Sequence, residues 1–203
     1  ASLEAKGFVV LNWADGGWVH FFAKRPVAVP DDLRKLKLFS WAGDAEAVEI
    51  WRSAGFNPVP LPSTEIATAL QTGLVEALGA PPQVAVISQF FNNARNMTDL
   101  KWQLLQGATI ITKATWEKIP ADVRPELLRV SREAGARLQK EIRDAEAKDV
   151  EAMKKRGLTV VPVSSRYWNT APWAGRTTAW PRSARRPMTR SLNPSMRRSP
   201  LGT

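Results

Sequence analysis

Few residues in this 203-residue chain could do covalent or acid–base chemistry. Cysteine is absent and His20 is the single histidine. That excludes disulfides, thiol nucleophiles, thiolate metal centres and any site built on two histidines. His20 stands inside the apolar run Trp18 to Phe22 and reads as a packed histidine rather than a ligand. Glu65 falls on a predicted helix and Glu76 on a predicted strand, and neither has an acid–base partner in view. Gly16-Gly17 lacks the spacing of a phosphate loop, and no nucleophile elbow is present. The residue types favour binding over catalysis: no enzymatic role, metal or cofactor is expected. The promising group is Phe39-Ser40-Trp41, at the end of a predicted strand.

The stretch Leu36 to Pro82 must position that group. It reads as strand, helix, strand, helix, strand. Leu36, Leu38 and Phe39 open it. Asp44 can cap a helix that carries Val48 and Trp51 on one face, with Ile50 beside them. Gly55 ends that helix, where a left-handed conformation is often needed. Asn57-Pro58-Val59-Pro60 is extended, because a residue before proline is pushed out of the helical region. Ser63 or Thr64 caps a second helix, closed by Gly73, and Leu74 to Leu78 is the third strand. Such repeats imply right-handed crossovers and a mostly parallel sheet. Ligands then collect at the carboxyl ends of the strands, here Ser40 to Gly43, Leu61-Pro62 and Gly79 to Pro82. Side chains alternate along a strand, so Phe39 and Trp41 share one face and Ser40 takes the other. Core packing and pocket lining both remain open for the two rings.

Around this unit, Gly7 to Trp13 is a predicted strand buried on both faces, Asp15-Gly16-Gly17 a turn, and Trp18 to Phe22 another strand. Asp31 or Asp32 caps a helix start after Val29-Pro30. Gln83 to Ala94 reads as a helix with Val84, Ile87 and Phe90 or Phe91 inward, and Met97-Thr98-Asp99 as a turn. Trp102 to Thr112 carries one or two strands. Pro125 to Lys155 forms a helix of about 30 residues, or about 45 Å, long enough to bridge two lobes. Leu158 to Val163 returns as a strand.

The net charge of +10 is unevenly placed. Eight of the 29 basic residues, all arginine, follow residue 163, and none of the 19 acidic ones does. The part before it therefore carries 21 basic against 19 acidic residues and is nearly neutral. Residues 164–203 hold no Lys, Asp or Glu and show no period. Three readings stand for this segment: the translation of a shifted frame in a GC-rich gene, a disordered tail, or an arm for nucleic acid or a membrane surface. No apolar run approaches a membrane-spanning length. No leader peptide is recognisable.

Several runs together resemble the solute-binding proteins of tripartite ATP-independent periplasmic (TRAP) transporters, of the dicarboxylate-binding DctP type. They are Lys24-Arg25-Pro26-Val27, Pro30-Asp31-Asp32-Leu33, Leu36-Lys37-Leu38, Gly55 to Pro62, and Thr64-Glu65-Ile66 with Ala69-Leu70-Gln71-Thr72-Gly73. Thr112 to Pro120 and Met153 to Leu158 complete the set. The resemblance implies a two-lobed α/β, periplasmic-binding-protein-like fold, with mixed, mostly parallel sheets and a long bridging helix. It further implies capture of a small organic acid in an interlobe cleft, delivery to the permease subunits of a membrane transporter, and a periplasmic location reached with a leader outside this chain. No nucleic-acid partner is expected.

Set against that family, the amino-terminal lobe is expected to be incomplete and the chain a fragment. The expected divisions are 1–16, a strand from the amino-terminal lobe or hinge; 17–104, the ligand-binding lobe; 105–163, the rest of the other lobe with the long helix; and 164–203, the tail. Members commonly carry an arginine at the end of the LKL strand, where its planar fork pairs a ligand carboxylate. Here that position is Phe39. Members also commonly have an asparagine where this chain has Ala80. Trp41, Trp13 and Trp102 could stack on a ligand, and Ser40 and Gln103 could supply hydrogen bonds.

Overall fold

The computed structural model describes residues 3–163 and 167–168. The chain opens with a long strand, β1 (Phe8–Ala23), then a short helix, α1 (Pro30–Arg34). The predicted βαβαβ unit follows as β2 (Lys37–Trp41), α2 (Ala45–Ser53), β3 (Asn57–Leu61), α3 (Ile66–Thr72) and β4 (Ala77–Ala80). Next come α4 (Pro82–Ile87), β5 (Asn96–Thr98), β6 (Gln103–Thr112), α5 (Lys113–Glu117), α6 (Arg124–Lys154) and β7 (Thr159–Val161).

These strands form one mixed sheet in the order β3-β2-β4-β1-β5-β7, with β6 also paired to β1. The pairings β2–β3, β2–β4 and β5–β7 are parallel. Every antiparallel pairing is made by β1, with β4, β5 and β6.

Local chemistry explains the βαβαβ unit. The Asp44 carboxylate accepts the Ala47 N–H at 2.9 Å and starts α2. Gly55 stands at φ 82°, where α2 turns into β3. At α1 the N-cap is Val29 rather than Asp31 or Asp32; Asp32, in the first turn, accepts from the N–H groups of Ala28 and Val29, each at 3.2 Å. Two further details differ from expectation. Neither Ser63 nor Thr64 caps α3: a 3-10 turn, Ser63–Glu65, leads into it without a side-chain cap. The third strand begins at Ala77 rather than Leu74, because the exit from α3 uses the intervening residues. There the Val75 N–H folds back onto the Ala69 carbonyl at 3.0 Å.

Larger corrections concern β1. Asp15-Gly16-Gly17 is not a turn; β1 runs through it as one strand. Its register against β6 slips between Val10 and Asn12 and again between Asp15 and Trp18, so each site adds one residue on β1. Bulges of this kind bend a strand and increase its twist, which lets β1 leave β6 and pair with β4 and β5 over His20 to Ala23. Phe8 to Leu11 are half-buried, not buried on both faces, since β6 is their only strand partner among the described residues. Met97 and Thr98 belong to β5 instead of a turn. The helix predicted to reach Ala94 stops after Ile87, and Gln89 takes a left-handed φ of 54°. Ile87 consequently points outward, and Phe90 and Phe91 supply the buried groups.

Alternation along the central strands builds two cores. Phe22, Phe39, Leu78 and Ala80 face one side, under Ile66 and Leu70 of α3, Ala85 of α4 and Met153 of α6. Phe21, Leu38 and Ala77 face the other, under Leu33 of α1, with Phe56 and Trp102. Trp168 completes that second core. It is 2% exposed, stacks on Phe21 with ring centroids 5.7 Å apart, and donates its indole N–H to the Ala28 carbonyl at 3.1 Å. It lies inside the segment read as a tail; the rest of 164–203, apart from Tyr167, lies outside the described residues.

Helix α6 lies along β1. The seam between them is polar. Buried Asp15 accepts from Arg143 at 2.5 Å and from the Gln139 side chain. Burial opposes its ionisation, but the two hydrogen bonds and the Arg143 charge outweigh that and hold the carboxyl below its usual range. His20, also buried, donates from Nδ1 to the Thr98 carbonyl at 2.9 Å. Its Nε2 faces Glu146 at 3.9 Å, and Glu146 is itself paired with Lys101 at 3.1 Å. Burial pushes the imidazole's affinity for a proton down, beyond what the Thr98 carbonyl and Glu146 restore.

Two predictions follow from this packing. Trp168→Ala should cost about 3–5 kcal/mol of stability, as expected for a truncated buried tryptophan. Urea unfolding of the chain and the variant would read this, and an unchanged midpoint would show that residue 168 is not part of the core. The second concerns pH. The folded state holds the His20 proton less tightly than the unfolded chain does. Its contribution is therefore complete above the ordinary value of 6.5 and is lost as pH falls below it. The urea midpoint should be lower at pH 5.5 than at pH 7.5, and the difference should shrink in His20→Gln. Asp15 acts in a lower window, its contribution complete above 3.8 and lost as pH falls through its depressed value.

Candidate ligand cleft

A cleft of about 620 Å³ lies across the carboxyl ends of β2 and β4. That volume suits a small organic molecule, since such sites span roughly 300–1,000 Å³. The end of β2 contributes Phe39, Ser40 and Trp41, and the end of β4 contributes Gly79, Ala80 and Pro81. Trp51 reaches in from α2, Trp102 and Gln103 from the start of β6, and Phe21 from β1. The cleft therefore touches both faces of the sheet.

Its rings are mutually fixed. Trp41 meets Phe39 edge-on with centroids 5.2 Å apart. Phe39 is buried, whereas Trp41 is 54% exposed and presents its indole to the opening. Trp51 and Trp102 lie 5.8 Å apart, and each contacts Phe21. The Trp102 backbone N–H is held by the Val19 carbonyl at 2.9 Å. Gly79 lies close to Val19: a β-carbon there would stand 3.1 Å from the Val19 side chain. Polar groups are few. Ser40 is buried, Ser63, Ser88 and Gln103 also line the cleft, and the exposed carboxylates Asp44 and Glu46 stand at the start of α2.

Of the residues expected at the site, Phe39, Ser40, Trp41, Ala80, Trp102 and Gln103 are brought together here. Trp13 is separated from them. It lies six residues before Val19 on β1, about 20 Å away at strand rise. There it is 67% exposed and borders a smaller recess with Asn12, Arg132 and Gln139. Trp51 and Phe21 are walls that reading the sequence missed. The position of Trp51, three residues after Val48 on the apolar face of α2, was the available signal; Phe21 gave none beyond apolarity. Asp44, expected only as a cap, is also a wall residue. Among the described residues, no group of acidic or imidazole side chains could hold a metal ion.

A parallel βαβαβ layer with a ring-lined cleft at its strand ends is the α/β architecture in which ligands collect. Residues 1–177 match the bacterial extracellular solute-binding protein family 7, DctP. The chain belongs to that family. It is 28% identical over 162 residues to the 2,3-diketo-L-gulonate-binding periplasmic protein YiaO of Escherichia coli, covering 79% of this chain and 49% of that protein. It is 29% identical over 159 residues to the C4-dicarboxylate-binding periplasmic protein DctP of Rhodobacter capsulatus, covering 78% and 47%. The chain thus spans about half the length of the curated relatives it matches.

Among solved structures, a TRAP periplasmic solute binding protein from Sulfitobacter sp. with bound β-D-galacturonate shares the fold. Its TM-score is 0.77 at 20% identity, covering 83% of this chain and 56% of that one. One from Citrobacter koseri with bound D-glucuronate gives a TM-score of 0.72 at 25% identity, covering 82% and 55%.

Proposed function

We propose that this chain captures a small organic solute outside the cytoplasmic membrane and hands it to the permease of a TRAP-type transporter. The observation that carries this reading is the cleft itself. It opens at the carboxyl ends of parallel strands, in a member of a solute-binding family, and its size suits a monosaccharide-sized molecule. The relatives named for their ligands bind small organic acids, and the two structures hold sugar acids. Phe39, Ser40, Trp41, Ala80, Trp102 and Gln103 form the ligand wall, with Trp41 as the exposed ring that covers the solute. In this reading α6, 31 residues long, is the brace against which a two-lobed binding protein opens and closes. The expected divisions 1–16, 17–104 and 105–163 follow the same logic, with β1 and α6 shared between lobes.

Titration of tryptophan fluorescence with a panel of small sugars, sugar acids and dicarboxylates tests the proposal. At least one solute should give a saturable change with no product formed. Trp41→Ala should weaken that binding about tenfold, the worth of roughly 1.4 kcal/mol of lost ring contact. Trp13→Ala should leave it unchanged. Turnover of the solute, or a Trp13 effect equal to that of Trp41, would count against the assignment.

A further inference from the structure

The charge of the wall narrows the solute class. Among the described residues lining the cleft there is no lysine, arginine or histidine, while Asp44 and Glu46 both carry carboxylates. An anion leaving water needs a cation or several N–H donors in exchange. The start of helix α2 lies at the rim, where a helix end can attract an anion. Its Ala47 N–H is already taken by the chain's own Asp44 carboxylate, at 2.9 Å. A second carboxylate arriving there would meet like charge. The rest of the wall is uncharged: mostly rings and aliphatic groups, with Phe39, Trp41, Trp51 and Trp102 prominent, and the neutral polar groups of Ser40, Ser63, Ser88 and Gln103 among them. Ring faces accept the apolar side of a sugar or an aromatic body, and they attract cations.

We infer that the solute this wall selects is neutral or cationic, with an apolar or ring face against the tryptophans, and that it presents no free carboxylate to β2 or α2. The inference rests on the capture function proposed above. Asp44 and Glu46 then serve as acceptors for an amide, hydroxyl or ammonium group of the solute.

The test uses the full chain and two charge-matched sets. One is D-glucuronate, D-glucuronamide and D-glucosamine; the other is phenylacetate, phenylacetamide and phenethylamine. Binding is followed by calorimetry and tryptophan fluorescence. In at least one set the amide or amine should bind at least about tenfold tighter than the acid, a modest penalty for like charges at short range. Replacing both carboxylates, Asp44→Asn with Glu46→Gln, should bring the acid to within about threefold of the amide. Asparagine retains the helix cap, so the fold is kept. If the acid binds tightest in both sets, capture stands and this inference falls. If no member of either set binds, the capture reading falls and takes the inference with it. An acid affinity unmoved by the double substitution would also overturn the role given to the two carboxylates.

Discussion

The close approach of α6 to β1 is the constraint on which the rest of the structure depends. Among the described residues, β1 is the one strand that joins β6 to the layer holding β2, β3 and β4. A helix can lie along it only where side chains make room. Gly17 makes room on the strand. It sits at φ 93°, and a β-carbon there would stand 3.2 Å from Ile142 of α6 and 3.7 Å from Pro81. Gly135 makes room on the helix, where a β-carbon would stand 2.9 Å from the Asn12 side chain. Asn12 in turn donates to the Ser131 hydroxyl at 2.7 Å and to the Ser131 carbonyl at 3.0 Å, so it is not free to swing aside. Between these two points the Asp15–Arg143 pair fixes the rotation of the helix. An exposed ion pair would add little. This one has its carboxylate buried, so losing Arg143 alone would leave an uncompensated charge.

That constraint also sets where the cleft can form. Pro81 closes β4, lines the cleft and lies beside Gly17. The strand ends that carry Trp41 and Ala80 are thus held at a fixed offset from α6. The wall continues both cores, and its cluster of tryptophans belongs to the second. Phe21 touches Trp51, Trp102 and Trp168, and Trp51 also packs edge-on against Phe56 at 4.9 Å. Rings that interlock in this way lose little freedom when a solute lands on them, which favours binding by a preformed surface.

The elements legible in the sequence were those whose signals are local. Asp44, Gly55 and the proline-flanked β3 announce themselves within a few residues, and the βαβαβ layer follows from them. β1 was misread because Asp15-Gly16-Gly17 carries turn chemistry, and pairing with β6 on both sides of it overrides that preference. β5 was missed because a three-residue strand has no period of its own; its neighbours β1 and β7 define it. The cleft was half legible. Phe39, Ser40, Trp41 and Ala80 lie where strand-end logic places them, whereas Phe21 and Trp51 arrive from other elements by tertiary packing alone. Trp13 shows the limit of residue type as a guide: it has the right side chain at the wrong end of a long strand.

Trp168 bears on how the arginine-rich segment is to be divided. Composition alone treats 164–203 as one unit, because charge, proline content and lost periodicity all change together at residue 164. The structure does not respect that boundary. Trp168 is buried against Phe21 and Trp102, and its N–H is satisfied by Ala28 just ahead of α1. The family match likewise continues to residue 177. A segment that serves only as a solvated charge run has no reason to place an indole in a core with its donor paired. Trp168, on the carboxyl side of β7, therefore belongs to the fold. Because Phe21 and Trp102 are both cleft walls, the shape of the cleft depends on a side chain that sequence reasoning had set outside the globular part.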